Sequence, residues 1–367
     1  MKKNLFLLGL AVATMTSCTN DEVVEMKQPT QKTIGFETFV NKTTRAIGAV
    51  DGTNLKNFWV LANYGTAASS FASLYDDPEE VYLEGSVWKN NTVKYWTNNV
   101  YNFAAYADDN TSNSAPSYVT LNQGTLQISN YTLDYALTDA ANNNAIVYPS
   151  VCNQKDIVAD VVTIEGEMNY SDKVNFTLEH LLSMVSFTFV NNSNYPMSIS
   201  ALKISGINNK GSISIVESTA LSNGPTWTLP AEAERKIITI YPIAASTENI
   251  AANSTVVSAD FLVLPQDLAN VIVEIEAQFY DPNSLNDIID RKDFTSASGN
   301  ALRLGVGDYT SWKPGNFYNY TISLPAAGKQ IEFDLTDVTG WNPAAGETTN
   351  NDGTKTPNPI ELNSSAN

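Results

Sequence analysis

A nucleophile and base in one site would need a His or an activated thiol, and this chain has one His and two Cys. His180 sits in "LEHLLS" among apolar residues, with no Ser or Cys signature beside it. It reads as a packing or hydrogen-bonding residue rather than a catalytic base. The same scarcity removes the usual His and Cys ligands of a zinc site. Cys152, in "YPSVCNQK", reads as a small buried residue. "DPNSLNDIIDRK" places Asp281, Asn283 and Asp287 roughly as a calcium loop does. It lacks the Gly at the sixth position and the Glu at the twelfth, and Leu285 stands where a ligand belongs. "YDDPEE", residues 75–80, reads as a solvated acidic loop. The 39 acids supply carboxylate pairs on paper, but nothing singles out two of them as the acid and base of a glycosidase. The residues imply no enzyme, no cofactor and no metal.

Two other residues carry chemistry of a different kind. Lys2 and Lys3 precede an apolar run, Leu5 to Met15, that is too short to span a bilayer and has the form of a signal peptide. "MTSCTNDE" follows, with the small Ser17 directly before Cys18, as in a bacterial lipobox. Only sulfur can form the thioether to diacylglycerol, so Cys18 is the expected lipid attachment site. The usual Leu three residues earlier is replaced by Met15. The second residue is Arg45, in "TFVNKTTRAIGAV". Four Arg stand among 21 basic residues, and after Arg45 the next is Arg235. An Arg-specific protease therefore has one target in the first 234 residues, in an unbulky stretch of Thr, Ala and Gly.

Losing the signal peptide removes two Lys and no acid, so the formal charge of −18 becomes more negative by two. Such a surface repels phosphate backbones, which argues against nucleic acid as a partner. With Cys18 lipidated, Cys152 has no disulfide partner even in an oxidising compartment, and stability must come from the core.

The positioning elements read as strands. In "TIGFETFV", Ile34, Phe36 and Val40 share a face at period two, with Thr38 between them. "NFWVLANY" repeats the pattern with Phe58, Val60, Ala62 and Tyr64, and "VKYWTNNVYNFAAYA" offers two short strands parted by an Asn-rich turn. "LKISGINNKGSISIVE" reads as a hairpin turning at Asn208 to Gly211. In "VIVEIEAQF", Val271, Val273, Ile275, Ala277 and Phe279 alternate with Glu274, Glu276 and Gln278, as in half-buried antiparallel sheet. No long stretch keeps a 3.6-residue period, so the class is all-β, with strands spaced as in sandwiches. The expected division is a signal peptide at 1–17, a tether and first strand at 18–45, sandwich domains at 46–172 and 173–341, and a polar tail at 342–367. Trp59, Trp88 and Trp96, with Tyr64, Tyr82, Tyr95 and Tyr101, could stack on sugar rings, but alternation into the cores is the favoured reading.

Several of these stretches together resemble a known family. "SCTNDE" and "IGFETFVNKTTRA", then "YWTNNVYNFAAYA", "KDIVAD", "VNFTLEHLLSMVSFTFVN", "GNFYNYTISL" and "IEFDLTDVTGW" are similar, in this order, to segments of the fimbrillins, the type V pilins of Bacteroidales. The resemblance implies two tandem transthyretin-like Greek-key β-sandwich domains and export as an outer-membrane lipoprotein. It also implies cleavage by an Arg-specific protease between Arg45 and Ala46, and assembly with other subunits into a fimbria used in adhesion. The departures are Met15 and the long tail after Trp341.

Cutting there would release the lipid and the strand carrying Ile34, Phe36 and Val40, at about 1.5–3 kcal/mol of lost burial each. The groove left behind could accept a strand from another subunit, and such heterologous contacts build filaments. Residues 330–338, with Ile331, Phe333 and Leu335 at period two, are the expected donor; "PNPIELN" offers only Ile360 and Leu362. The alternatives are an uncut glycan-binding surface lipoprotein and a fimbrial tip or anchor adhesin. If the lipobox reading holds, mass spectrometry of the membrane-bound protein finds a lipidated peptide beginning at Cys18. A Cys18→Ala protein that stays anchored would overturn it.

Overall fold

The computed structural model describes residues 32–40, 50, 54–66, 70–108, 117–133, 145–147, 155–165, 173–217, 226–231, 236–240, 250–257, 260–299, 301–305, 309–325 and 332–340. Cys18, Arg45, Ala46, Cys152, the signal peptide and the tail from 342 lie outside them. The first strands are β1 (Gly35–Phe39), β2 (Asn57–Gly65), β3 (Ala72–Ser73), β4 (Glu79–Glu84), β5 (Val87–Asn90), β6 (Val100–Asp108), β7 (Val119–Asn122) and β8 (Thr125–Thr132). Next come β9 (Ala145–Val147), β10 (Ile157–Ile164), β11 (Lys173–Thr177), β12 (Glu179–His180), β13 (Ser183–Asn191), β14 (Met197–Ile207), β15 (Lys210–Val216) and β16 (Lys236–Ile240). The series ends with β17 (Ser254–Val257), β18 (Phe261–Val263), β19 (Ile272–Asp281), β20 (Ser284–Phe294), β21 (Leu302–Arg303), β22 (Asn316–Leu324) and β23 (Glu332–Gly340). The described chain is all-β, and no helix in it is long and apolar enough to cross a membrane.

A seven-stranded sheet, ordered β12-β10-β6-β2-β4-β5 with β3 on β2, forms the middle of the first half. Both its faces are covered. One face sends Phe58, Val60, Phe103, Ala105 and Val158 against the two-stranded sheet β1-β11. The other sends Trp59, Ala104, Tyr106, Ile157 and Ala159 into a larger core shared with Leu126 and Ile128 of β8 and Ile213 and Ile215 of β15. Two-sided burial explains why β6, "VYNFAAYAD", is apolar almost throughout rather than alternating.

The larger core continues between two further sheets, β17-β13-β22-β23 with β18 on β13, and β20-β19-β14-β16-β9 with β21 on β19. β19 alternates as expected: Val273, Ile275, Ala277 and Phe279 are buried and the residues between them half-buried. β23 pairs antiparallel with β22 over Asn316–Gly340 to Ser323–Glu332, so the expected donor segment is an edge strand of its own sheet.

Two expectations are corrected. β14 and β15 are not a hairpin. β14 is flanked on one side by β16 and on the other by β19, which leaves it no free edge, and β15 crosses to pair with β8. Gly206 makes the departure at φ +82°, and Gln266 holds the turn by accepting from Asn208 N at 2.9 Å. "VKYWTNNVYNFAAYA" holds one strand, β6; Tyr95 contributes only an isolated bridge to Thr33. Most of the aromatics pack into the cores, as the favoured reading had it: Trp59, Trp96 and Tyr101 are buried, Tyr64 stacks on Tyr101 and Trp88 packs edge-on to Phe58, while Tyr95 is exposed. Pairing is also shared across the 172/173 division: β11 pairs with β1, β15 with β8, and β16 with β9.

The outer edge of the second half is β20. It carries a register irregularity opposite Phe279 and Tyr280, and charges at Asp287, Asp290, Arg291, Lys292 and Asp293. Among the described glycines, Gly206 leaves the least room for a side chain. A Cβ there would lie 2.3 Å from the Asn270 carbonyl oxygen in a left-handed backbone. Gly206→Ala is expected to cost at least about 2 kcal/mol in urea denaturation.

Candidate functional site

β1 is extended because its apolar residues recur at period two, and it is held along both edges. Its first half is bonded to the segment before β6. Ile34 N donates to Lys94 O at 2.8 Å and Trp96 N to Lys32 O at 2.9 Å, around the antiparallel Thr33–Tyr95 bridge. Its second half pairs parallel with β11, from Gly35 opposite Lys173 to Phe39 opposite Thr177. Lys173 and Glu37 add an exposed ion pair at 3.0 Å, worth little by itself.

Ile34, Phe36 and Val40 come together as expected, 3%, 2% and 5% exposed in one core. Phe36 fills an aromatic pocket. Its ring centroid lies 5.9 Å from Phe103, 6.1 Å from Phe176 and 6.4 Å from Tyr75. Val174, Phe176 and Leu178 present the β11 side of the groove. The Thr38 hydroxyl is different, being buried with no hydrogen-bond partner among the described residues. Burial, with a smaller contribution from Glu79, pushes the Tyr75 hydroxyl above its ordinary range, so it stays protonated. The Lys94 ammonium lies 5.7 Å from its ring centroid.

Two carboxylates, the buried Asp156 and the half-buried Asp160, fix what surrounds the strand. Asp156 Oδ2 accepts from Val50 N at 2.9 Å and faces His180 Nδ1 at 2.7 Å, while Oδ1 accepts from Ile157 N at 2.8 Å. His180 Nδ1 and Asp156 Oδ2 share one hydrogen bond inside the core, whose direction follows the His180 tautomer. His180 is therefore a structural partner that helps dock the chain at Val50, just beyond Arg45. Asp160 accepts from Thr177 N at 2.7 Å and Val161 N at 2.8 Å, joining β10 to β11. Burial raises its carboxyl, and these two bonds oppose the rise.

Chemically, the groove binds an extended strand through backbone hydrogen bonds and alternate side-chain pockets. The other candidates go to local structure. Asp281 Oδ1 accepts from Asn283 N at 2.7 Å in the β19–β20 turn, and Glu79 Oε1 accepts from Asn91 N and Thr92 N at 2.8 and 2.7 Å. No group of three or more metal-ligating side chains occurs among the described residues. Asp156 and the Tyr75–Phe103–Phe176 pocket were missed. Alternation in β11 could have marked Phe176, but β6 packs on both faces and nothing local marked Phe103 or Asp156.

Residues 44–341 match the fimbrillin-like family. The chain belongs to the fimbrillin-like family. Among curated proteins none matches it. A fimbrial protein from Bacteroides vulgatus has a similar structure at 13% identity, with a TM-score of 0.55 and coverage of 84% of this chain and 99% of that one. The fimbrial anchor protein Mfa2 from Porphyromonas gingivalis aligns at 11% identity and a TM-score of 0.34, over 84% of this chain and 97% of its own. In this fimbrillin-like chain the family match begins at Thr44, after β1.

Two substitutions test the site in the uncut chain. Phe36→Ala should lower stability by about 3–5 kcal/mol in chemical denaturation. Asp156→Ala, which strands the Val50 amide and His180 Nδ1, should cost about 3 kcal/mol.

Proposed function

We propose that the chain is a structural subunit of a cell-surface fimbria with a role in adhesion. It is exported as an outer-membrane lipoprotein through Cys18, cut between Arg45 and Ala46 by an Arg-specific protease, and polymerised by strand donation. The observation that carries this reading is β1 itself. It supplies half of a two-stranded sheet and three residues of a closed core, yet its chain connection runs through the Arg45 stretch to Val50, which Asp156 holds separately. A cut between the two anchors leaves both flanks of the groove in place: β11 on one side, held by Asp160, and Lys94–Trp96 on the other.

The family membership and the start of the family match at Thr44 support the reading. The glycan-binding alternative loses its residues, since the aromatics that would stack on sugar are mostly spent in the cores. Partners are then other fimbrial subunits, the processing protease, and the membrane before the cut. A donor from residues 332–340 would first have to leave β22.

Limited digestion with an Arg-specific protease should cut first after Arg45 and leave a folded product beginning at Ala46. Arg45→Ala should abolish polymerisation while leaving the monomer as stable as the parent. A first cut at Arg235, Arg291 or Arg303, or filaments from the Arg45→Ala chain, would overturn the proposal.

A further inference from the structure

Among the described residues, the bonds that hold β1 in place lie between residues 32 and 40 and are non-covalent contacts with distant parts of the chain. Ile34 and Trp96 make the hydrogen bonds on one edge, the ladder to β11 makes those on the other, and Phe36 is enclosed by Tyr75, Phe103 and Phe176. Breaking the peptide bond after Arg45 removes none of them. Cutting ends only the tether that brings β1 back to its groove each time it opens, so the loss is one of effective concentration.

We infer that cleavage nicks the subunit without emptying the groove: the severed β1 stays bound, and assembly proceeds by displacing it. This rests on the strand-donation reading above. The excised segment is then a competitive ligand of the groove, an extended peptide lying parallel to β11 with an aromatic at the Phe36 position. It keeps nicked subunits from exposing an apolar groove until a donor arrives.

The same strand contains the feature that keeps it displaceable. Thr38 points a hydroxyl into buried surroundings between Phe36 and Val40 and finds no partner among the described residues. An unsatisfied buried hydroxyl weakens the strand's hold, and an isosteric methyl would strengthen it. Thr38 therefore loosens the strand's hold, while Phe36 supplies most of it.

The test cuts the full chain at Arg45, or at a specific-protease site placed across residues 44–47 where Arg45 resists. The product is then passed through gel filtration, and mass spectrometry asks whether the N-terminal peptide travels with the body beginning near residue 46. Co-elution is expected. A synthetic peptide of residues 32–41 in excess should displace the bound segment and slow filament growth, whereas the Phe36→Ala peptide should be more than about a hundredfold weaker. Thr38→Val should slow release by about tenfold. Immediate loss of the segment on cutting, at one rate in parent and Thr38→Val alike, would overturn the inference. Retention is read on the nicked monomer before any polymerisation. Failure of the nicked chain to form filaments under displacing conditions would instead count against strand donation.

Discussion

The pairing of β1 with β11 is the constraint on which the first half of the molecule depends. It joins residue 35 to residue 173 across nearly the whole of that half, and β11 has no other strand partner in its sheet. Through β11 it also closes the core beneath Phe58, Phe103 and Val158. A two-stranded sheet facing seven strands has little redundancy. Either of its strands removed alone leaves the other with an open edge and an uncovered apolar face.

Several buried polar residues outside this pairing tie separate segments together. Asn191 Nδ2 donates to the carbonyls of Tyr195, Ile250 and Ala251, tying the end of β13 to the approach of β17. Gln266 and Asn208 exchange bonds where the chain leaves β14 for β15. Asn102 donates to Asn63 and accepts from Thr163, linking β6 to both its neighbours. Asn208 and Gln266 lie where the chain passes from one sheet to another, whereas Asn102 cross-links strands within one sheet. Trp312, donating to the Tyr320 hydroxyl at 2.9 Å, adds another tie inside the second half.

Period-two alternation was legible wherever one face is buried and the other partly wet, which is why β19 and β1 read correctly. It fails for β6 and β13, where both faces pack and the pattern becomes a continuous apolar run. The β14–β15 hairpin was misread because turn chemistry at Asn208–Gly211 is local, whereas the absence of a free edge on β14 depends on β16 and β19, far away in the chain. Ile34, Phe36 and Val40 were visible from spacing. Their pocket was not, since Tyr75, Phe103 and Phe176 come from three separate segments. His180 looked apolar in context, and only the fold brings Asp156 to it.

β20 takes on another meaning beside the groove. It is a long edge strand at the rim of a sheet, the kind of surface to which stray strands add. Its register breaks opposite Phe279 and Tyr280, and charged residues crowd its second half. A bulged, charged edge is a poor template for further pairing. Under the strand-donation proposal, a receptive groove set beside a refractory β20 rim would favour growth in a single direction.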